Sequence, residues 1–238
     1  MKGSTRAAEG PTHAIIGELN ARLKRVHGPR PLYPNGDPVA ELVLTILSQA
    51  TNDRNRDRAY VALRRAFPTW EDVLRADPPE VARAIAPAGL GPQKAPRIIE
   101  VLRRIAADPR AGGRPDLGFL ETMSDAEALE YLTALPGVGP KTGACVLLFA
   151  LGRPVFPVDT HIHRLARRLG LVPGNFDAAR TQRELAQVAP NDAEACHELH
   201  VNLIAHGRAV CRARRPDCAH CALADICPSA GALGGRCR

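Results

Sequence analysis

Four of the seven cysteines in this 238-residue chain, Cys211, Cys218, Cys221 and Cys227, fall in one short basic segment, CRARRPDCAHCALADIC, with the spacing C-x6-C-x2-C-x5-C. Four thiolates so close in an irregular loop can converge on one soft metal centre, either tetrahedral zinc or a cubane iron-sulfur cluster, and spacing does not choose between them. The odd cysteine total and the crowding argue against a secreted disulfide framework. Closing such a loop would display Arg212, Arg214 and Arg215 together toward a phosphate backbone; a solvated basic loop is the plain alternative. Cys145 shares an apolar helical face with Leu148 and Phe149 and reads as core. Cys196 and Cys237 stand outside the pattern.

Elsewhere apolar residues recur at helical spacing and no convincing strand appears, so the expected class is all-α. Asp37-Pro38 places a capping side chain before a first-turn proline, ahead of Leu42, Leu44, Ile46 and Leu47, which predicts a buried helix. Capping-box patterns mark further starts at Asp77 to Glu80, Ser124 to Glu127 and Asn191 to Glu194. Pro/Gly-rich stretches at 27–36 and 152–157 read as breaks. They predict a central helical domain over 37–152, with 1–36 and 153–238 meeting in a second lobe. A tail, SAGALGGRCR, is expected to be flexible.

Lys plus Arg number 32 against 25 Asp plus Glu, a net charge of +7, which favours polyanionic partners because phosphate neutralisation releases counterions. No apolar run reaches the roughly 18 residues of a membrane span, and MKGSTRAAEGP lacks the apolar core of a signal peptide. The expectation is a soluble, cytoplasmic monomer without a membrane partner.

Leu135 to Ala144 reads LPGVGPKTGA. Gly137 and Gly139 flanking Val138 permit a tight turn, and Pro140 suits the first position of a helix. Backbone N–H groups at such a helix start can hold a phosphate oxygen, and Thr142 lies in the same turn. Lys141 would sit where the positive end of the helix dipole favours a neutral, nucleophilic amine. A surface lysine touching phosphate is the bland alternative.

The string LPGVGPKTG resembles the helix-hairpin-helix element of the endonuclease III family, and HGRAVCRARRPDCAHCALADIC resembles that family's C-terminal cluster loop. The resemblance runs from about residue 13 to residue 228. It implies a bilobal helix-hairpin-helix glycosylase fold, a six-helix barrel domain plus an iron-sulfur domain holding a [4Fe-4S] cluster. It also implies damaged double-stranded DNA as the partner. The activity implied is removal of oxidised pyrimidines through a Lys141 Schiff base, then strand cleavage by β-elimination. VDTHIHR resembles the family's VDTH segment and implies that Asp159 is the catalytic carboxylate, although an aspartate there is equally a good N-cap. His161, two residues on, is a candidate for lesion or backbone contact.

An enzyme of this kind must rotate a nucleotide out of the stack and fill the gap. LSQATND resembles the family's gap-filling region, with Gln49 offered to the orphaned base, and GLGPQKA resembles a second insertion loop. There Leu90 would intercalate and Lys94 would hold phosphate. Gln49 ending a helix and Leu90 simply packing are the alternatives. A helix from Lys141 to Leu151 is about 16 Å long. Residues 152–158 can span about 23 Å when extended, enough to return Asp159 beside Lys141 at a centre between the lobes. Thr133 and Asn52 stand where other family members carry Glu and Asp, which leaves the lesion range open. Two rivals are a monofunctional adenine glycosylase, which typically lacks the lysine, and a non-catalytic DNA-binding protein that keeps the hairpin and cluster.

Overall fold

A computed structural model describes residues 11–234, so Cys237 lies outside the described residues. Among these residues there is no strand, and no helix is long and apolar enough to cross a membrane. The chain divides into two compact units, one running from Pro34 to Leu151 and the other joining the N-terminal segment through Tyr33 to the segment from Gly152 onward.

The Pro34–Leu151 unit carries α2 (Pro38–Ser48), α3 (Asp53–Ala66), α4 (Trp70–Arg75), α5 (Pro78–Ala84), α6 (Gly91–Ala106), α7 (Asp125–Ala134) and α8 (Pro140–Cys145). The other unit carries α1 (Pro11–His27), α9 (Thr160–Arg168), α10 (Ala178–Ala186), α11 (Ala193–Ala209) and α12 (Ala230–Gly234). The expected start of α2 is present: the Asp37 carboxylate accepts from the Ala40 amide at 2.8 Å, and Pro38 follows. Val39, Leu42, Val43, Ile46 and Leu47 are all buried, as a predominantly apolar helix in the core requires. Each such side chain contributes about 1.5–3 kcal/mol relative to exposure.

Ser124 and Glu127 form a complete capping box on α7. The other two marked starts hold with different chemistry. Asp77 precedes α5 without a side-chain cap, and Asp192, not Asn191, caps α11 by accepting from the Ala195 amide at 2.7 Å. A carboxylate is the stronger acceptor at a helix N-terminus. Thr69 and Asp72 form a box that sequence spacing had not marked because it uses Asp in place of Glu.

One expectation is corrected here. The helix from Lys141 to Leu151 is not uniform: α-helical bonding ends at Cys145 and wider π-helical turns run from Val146 to Ala150. The Asn35 and Gly36 amides donate to Phe149 and Ala150 carbonyls, at 3.2 and 3.1 Å, and so occupy acceptors at that helix end. Within the tail, Ala230–Gly234 forms α12.

Candidate functional site

The hairpin lies between α7 and α8. Gly137 adopts φ +72°, and the Val138 amide turns back to the Leu135 carbonyl at 3.1 Å. Gly139 precedes α8 with no side-chain cap, so no side chain competes for the first-turn amides. The Val138 and Thr142 side chains are buried, which leaves the backbone, not those side chains, to face a ligand. Gly143 packs closely on α7: a Cβ there would stand 2.8 Å from Leu129 Cδ1, and that side chain would have to shift. Lys141, in the first turn, is half-buried.

A carboxylate that sequence reading passed over lies within electrostatic reach of this lysine. Glu41, on α2, is only 7% exposed; it accepts from Asn35 Nδ2 and Thr45 Oγ1, both at 3.2 Å. Burial pushes its carboxyl above the usual range, and those two hydrogen bonds, Arg56 and Lys141 oppose the rise. The available signal was a charged residue inside an apolar run, VAELVLTIL, where ionisation is costly without partners.

In the other unit, Asp159 is the N-cap of α9, its Oδ1 accepting from the Ile162 amide at 2.8 Å. The strand-like strap before it is pinned by two residues that local pattern did not mark. Gln182 Oε1 accepts from the Val158 amide at 3.2 Å, and His200 Nδ1 lies 2.9 Å from the Pro157 carbonyl. His161 Nδ1 lies 3.0 Å from Arg164 Nη2, and its Cβ side presses against Gly207.

The two insertion candidates belong to the Pro34–Leu151 unit. Gln49 is half-buried at the end of α2, and its Oε1 accepts from Arg97 Nη1 at 3.3 Å. Leu90 is 49% exposed in a left-handed conformation, φ 54°, just before α6. Lys94 departs from its expected phosphate role. Its side chain is 2% exposed, and Nζ donates to the carbonyls of Leu47 at 2.8 Å and Ala88 at 3.0 Å. Burial holds its ammonium below the ordinary lysine range. The resemblance of GLGPQKA to an insertion loop had offered Lys94 to phosphate, but α6 turns that position inward.

The cysteine loop is fastened to its own unit by cations. Arg164 Nε donates to the Cys211 carbonyl at 3.0 Å, and Arg168 Nη1 approaches Cys211 Sγ at 3.2 Å and the Arg212 carbonyl at 2.8 Å. Arg22 of α1 pairs with Asp225 and reaches the Ala222 carbonyl. Cys221 Sγ lies 3.4 Å from His206 Nε2, and Cys227 Sγ donates to the Arg168 carbonyl at 3.4 Å. None of the four thiols is in a disulfide. Burial raises the Cys221 thiol, and Cys211, Cys227 and Cys218 add to that rise. Among the described residues no three His, Cys, Asp or Glu side chains are gathered as the ligands of a single metal ion. Arg212, Arg214 and Arg215 are exposed.

The model of the HhH-GPD superfamily of base excision DNA repair proteins matches residues 43–191. Endonuclease III of Thermotoga maritima is 33% identical over 191 residues, covering 80% of this chain and 83% of that protein. The chain belongs to the endonuclease III family. Another relative, an Arabidopsis thaliana protein described as a DNA glycosylase, is 38% identical over 167 residues, 70% of this chain and 55% of that longer protein. The fold is similar to that of an endonuclease III solved in a non-covalent complex with DNA. That likeness has a TM-score of 0.74 and 25% identity over 93% of this chain and 97% of the other. This endonuclease III relative is therefore a DNA glycosylase of base excision repair with the helix-hairpin-helix glycosylase fold.

Proposed function

We propose that the chain is a bifunctional DNA glycosylase and AP lyase that removes oxidised pyrimidines from damaged duplex DNA. The observation that carries this reading is a lysine, Lys141, in the first turn after an uncapped glycine hairpin in a chain of the endonuclease III family. Lys141 Nζ attacks C1′ of the damaged nucleotide; the glycosidic bond breaks, and the base leaves with its electron pair and takes up a proton. The bound amine loses a proton, the C1′–O4′ bond breaks with O4′ taking up a proton, and the opened sugar carries the C1′ iminium, a Schiff base. Removal of a C2′ proton then expels the 3′ phosphate by β-elimination, and water releases the lysine.

Asp159, already fixed as an N-cap by Ile162, keeps one carboxylate oxygen for stabilising oxocarbenium character at the sugar and assisting proton transfer. The hairpin backbone at Gly137, Val138 and Gly139 takes a phosphate, Gln49 fills the gap and Leu90 wedges the stack. Arg212, Arg214 and Arg215 add phosphate contacts. Cys211, Cys218, Cys221 and Cys227 would hold a [4Fe-4S] cluster, whose contribution is to shape that basic loop. The fit rests on four thiols outside any disulfide, three of which act on Cys221, with the Arg168 guanidinium beside the Cys211 sulfur.

The test is borohydride trapping on duplexes carrying thymine glycol or an abasic site. Wild type is expected to give a covalent adduct on both, and Lys141→Gln none. Absence of wild-type adduct on either duplex would sink the lyase assignment and leave a monofunctional glycosylase or a DNA-binding protein.

A further inference from the structure

Lys94 is a buried charge that the proposed chemistry leaves unused. Its ammonium joins two stretches distant in sequence: the Leu47 carbonyl, two residues before Gln49, and the Ala88 carbonyl, two residues before Leu90. Both of these carbonyls end helical segments, where acceptors lack intrahelical partners. One side chain thus tethers the backbones that carry both insertion candidates.

The same two loops hold unusual backbone. Ala50, adjacent to Gln49, has φ 53°, and Leu90 has φ 54°, the left-handed region that disfavours residues with a Cβ. Such conformations persist only where the surroundings enforce them. The start of α6 supplies this enforcement. Gly91 lies so close to α5 that a Cβ would meet the Ala82 carbonyl oxygen at 2.9 Å, and Lys94 grips from below one turn later. On the exposed side of α6, the Arg97 guanidinium contacts Gln49 Oε1 and lies over Gly137, where a Cβ would come within 2.6 Å of Arg97 Nε.

We propose that Lys94 and Arg97 are positioning residues for nucleotide extrusion: Lys94 presets the spacing of the Gln49 and Leu90 loops, and Arg97 orients the Gln49 amide against the hairpin. The inference rests on the glycosylase/lyase reading above. A gap-filling pair held in place before DNA arrives needs no ordering when the base leaves the stack, and small misplacements at such sites are costly.

Extrusion can be separated from chemistry by comparing single-turnover borohydride trapping at an abasic site paired in a duplex with trapping at one in a single-stranded loop. The loop site needs no unstacking. Lys94→Met is expected to slow trapping at the paired site by about tenfold or more. Its rate at the loop site should stay within about twofold of wild type, because Lys141 is untouched. Arg97→Ala, on an exposed side chain, should show the same selectivity with a smaller loss. If Lys94→Met lacks the wild-type helical circular dichroism, Arg97→Ala decides alone. Equal losses at both sites, no loss at either, or a wild-type enzyme confined to the paired site would overturn the inference. A wild type that traps neither site fails the parent reading instead and takes this one with it.

Discussion

Gly137 and Gly139 look interchangeable in GVG, yet the structure makes opposite predictions for them. Gly137 sits at φ +72°, and a Cβ there would stand 2.6 to 2.9 Å from Arg97 Nε, Cδ and Cζ. Gly139 has an ordinary φ of −93°, with nothing within 4 Å of the added atom. In Gly137→Ala the left-handed backbone costs about 1–2 kcal/mol. Reduced freedom of the unfolded chain returns about 0.4–1 kcal/mol. Arg97 can swing away, so its displacement adds little to stability but breaks its bond to Gln49. The net expectation is a loss of about 1 kcal/mol, read as a fall of about 2–4 °C in Tm. Affinity for a duplex bearing an uncleavable abasic analogue, measured by fluorescence anisotropy, should weaken about tenfold, equivalent to 1.4 kcal/mol. Gly139→Ala should match or exceed wild-type stability through the same unfolded-state effect. If Gly139→Ala is the more destabilised of the two, the backbone argument is wrong.

Three further expectations follow from the site. Asp159→Asn keeps a competent N-cap, so Tm should change by less than about 0.5 kcal/mol equivalent while trapping slows by about 100-fold or more; parallel losses would show that the carboxylate is only a cap. Burial raises the Glu41 carboxyl, so the native state holds that proton to higher pH than the unfolded chain. Its contribution to stability is present below the unfolded carboxylate range and is lost as pH climbs toward the raised native value, with a slope of at most about 1.4 kcal/mol per pH unit. Glu41→Gln should remove that slope in urea titrations across mildly acid pH, and an unchanged slope would refute it. Purified protein should contain iron and acid-labile sulfide, lost together in Cys218→Ser. Stoichiometric zinc in their place would replace the cluster assignment.

Much of the site was legible locally. The cap at Asp37, the hairpin string before Lys141, the cap and carboxylate at Asp159 and the quartet Cys211, Cys218, Cys221 and Cys227 are each written within a few neighbouring residues. Such signals survive because capping, tight turns and short ligand spacings depend on nearby backbone. Tertiary packing decided which charges point inward. Lys94 and Glu41 occupy helices whose sequence does not say that carbonyls of Leu47 and Ala88, or hydroxyl and amide groups of Thr45 and Asn35, await them. The same holds for the π-helical turns after Cys145, which meet the Asn35 and Gly36 amides, and for Gln182 and His200 behind the Asp159 strap. A buried polar group is tolerable only where distant segments supply its partners, and that supply is a property of the folded chain.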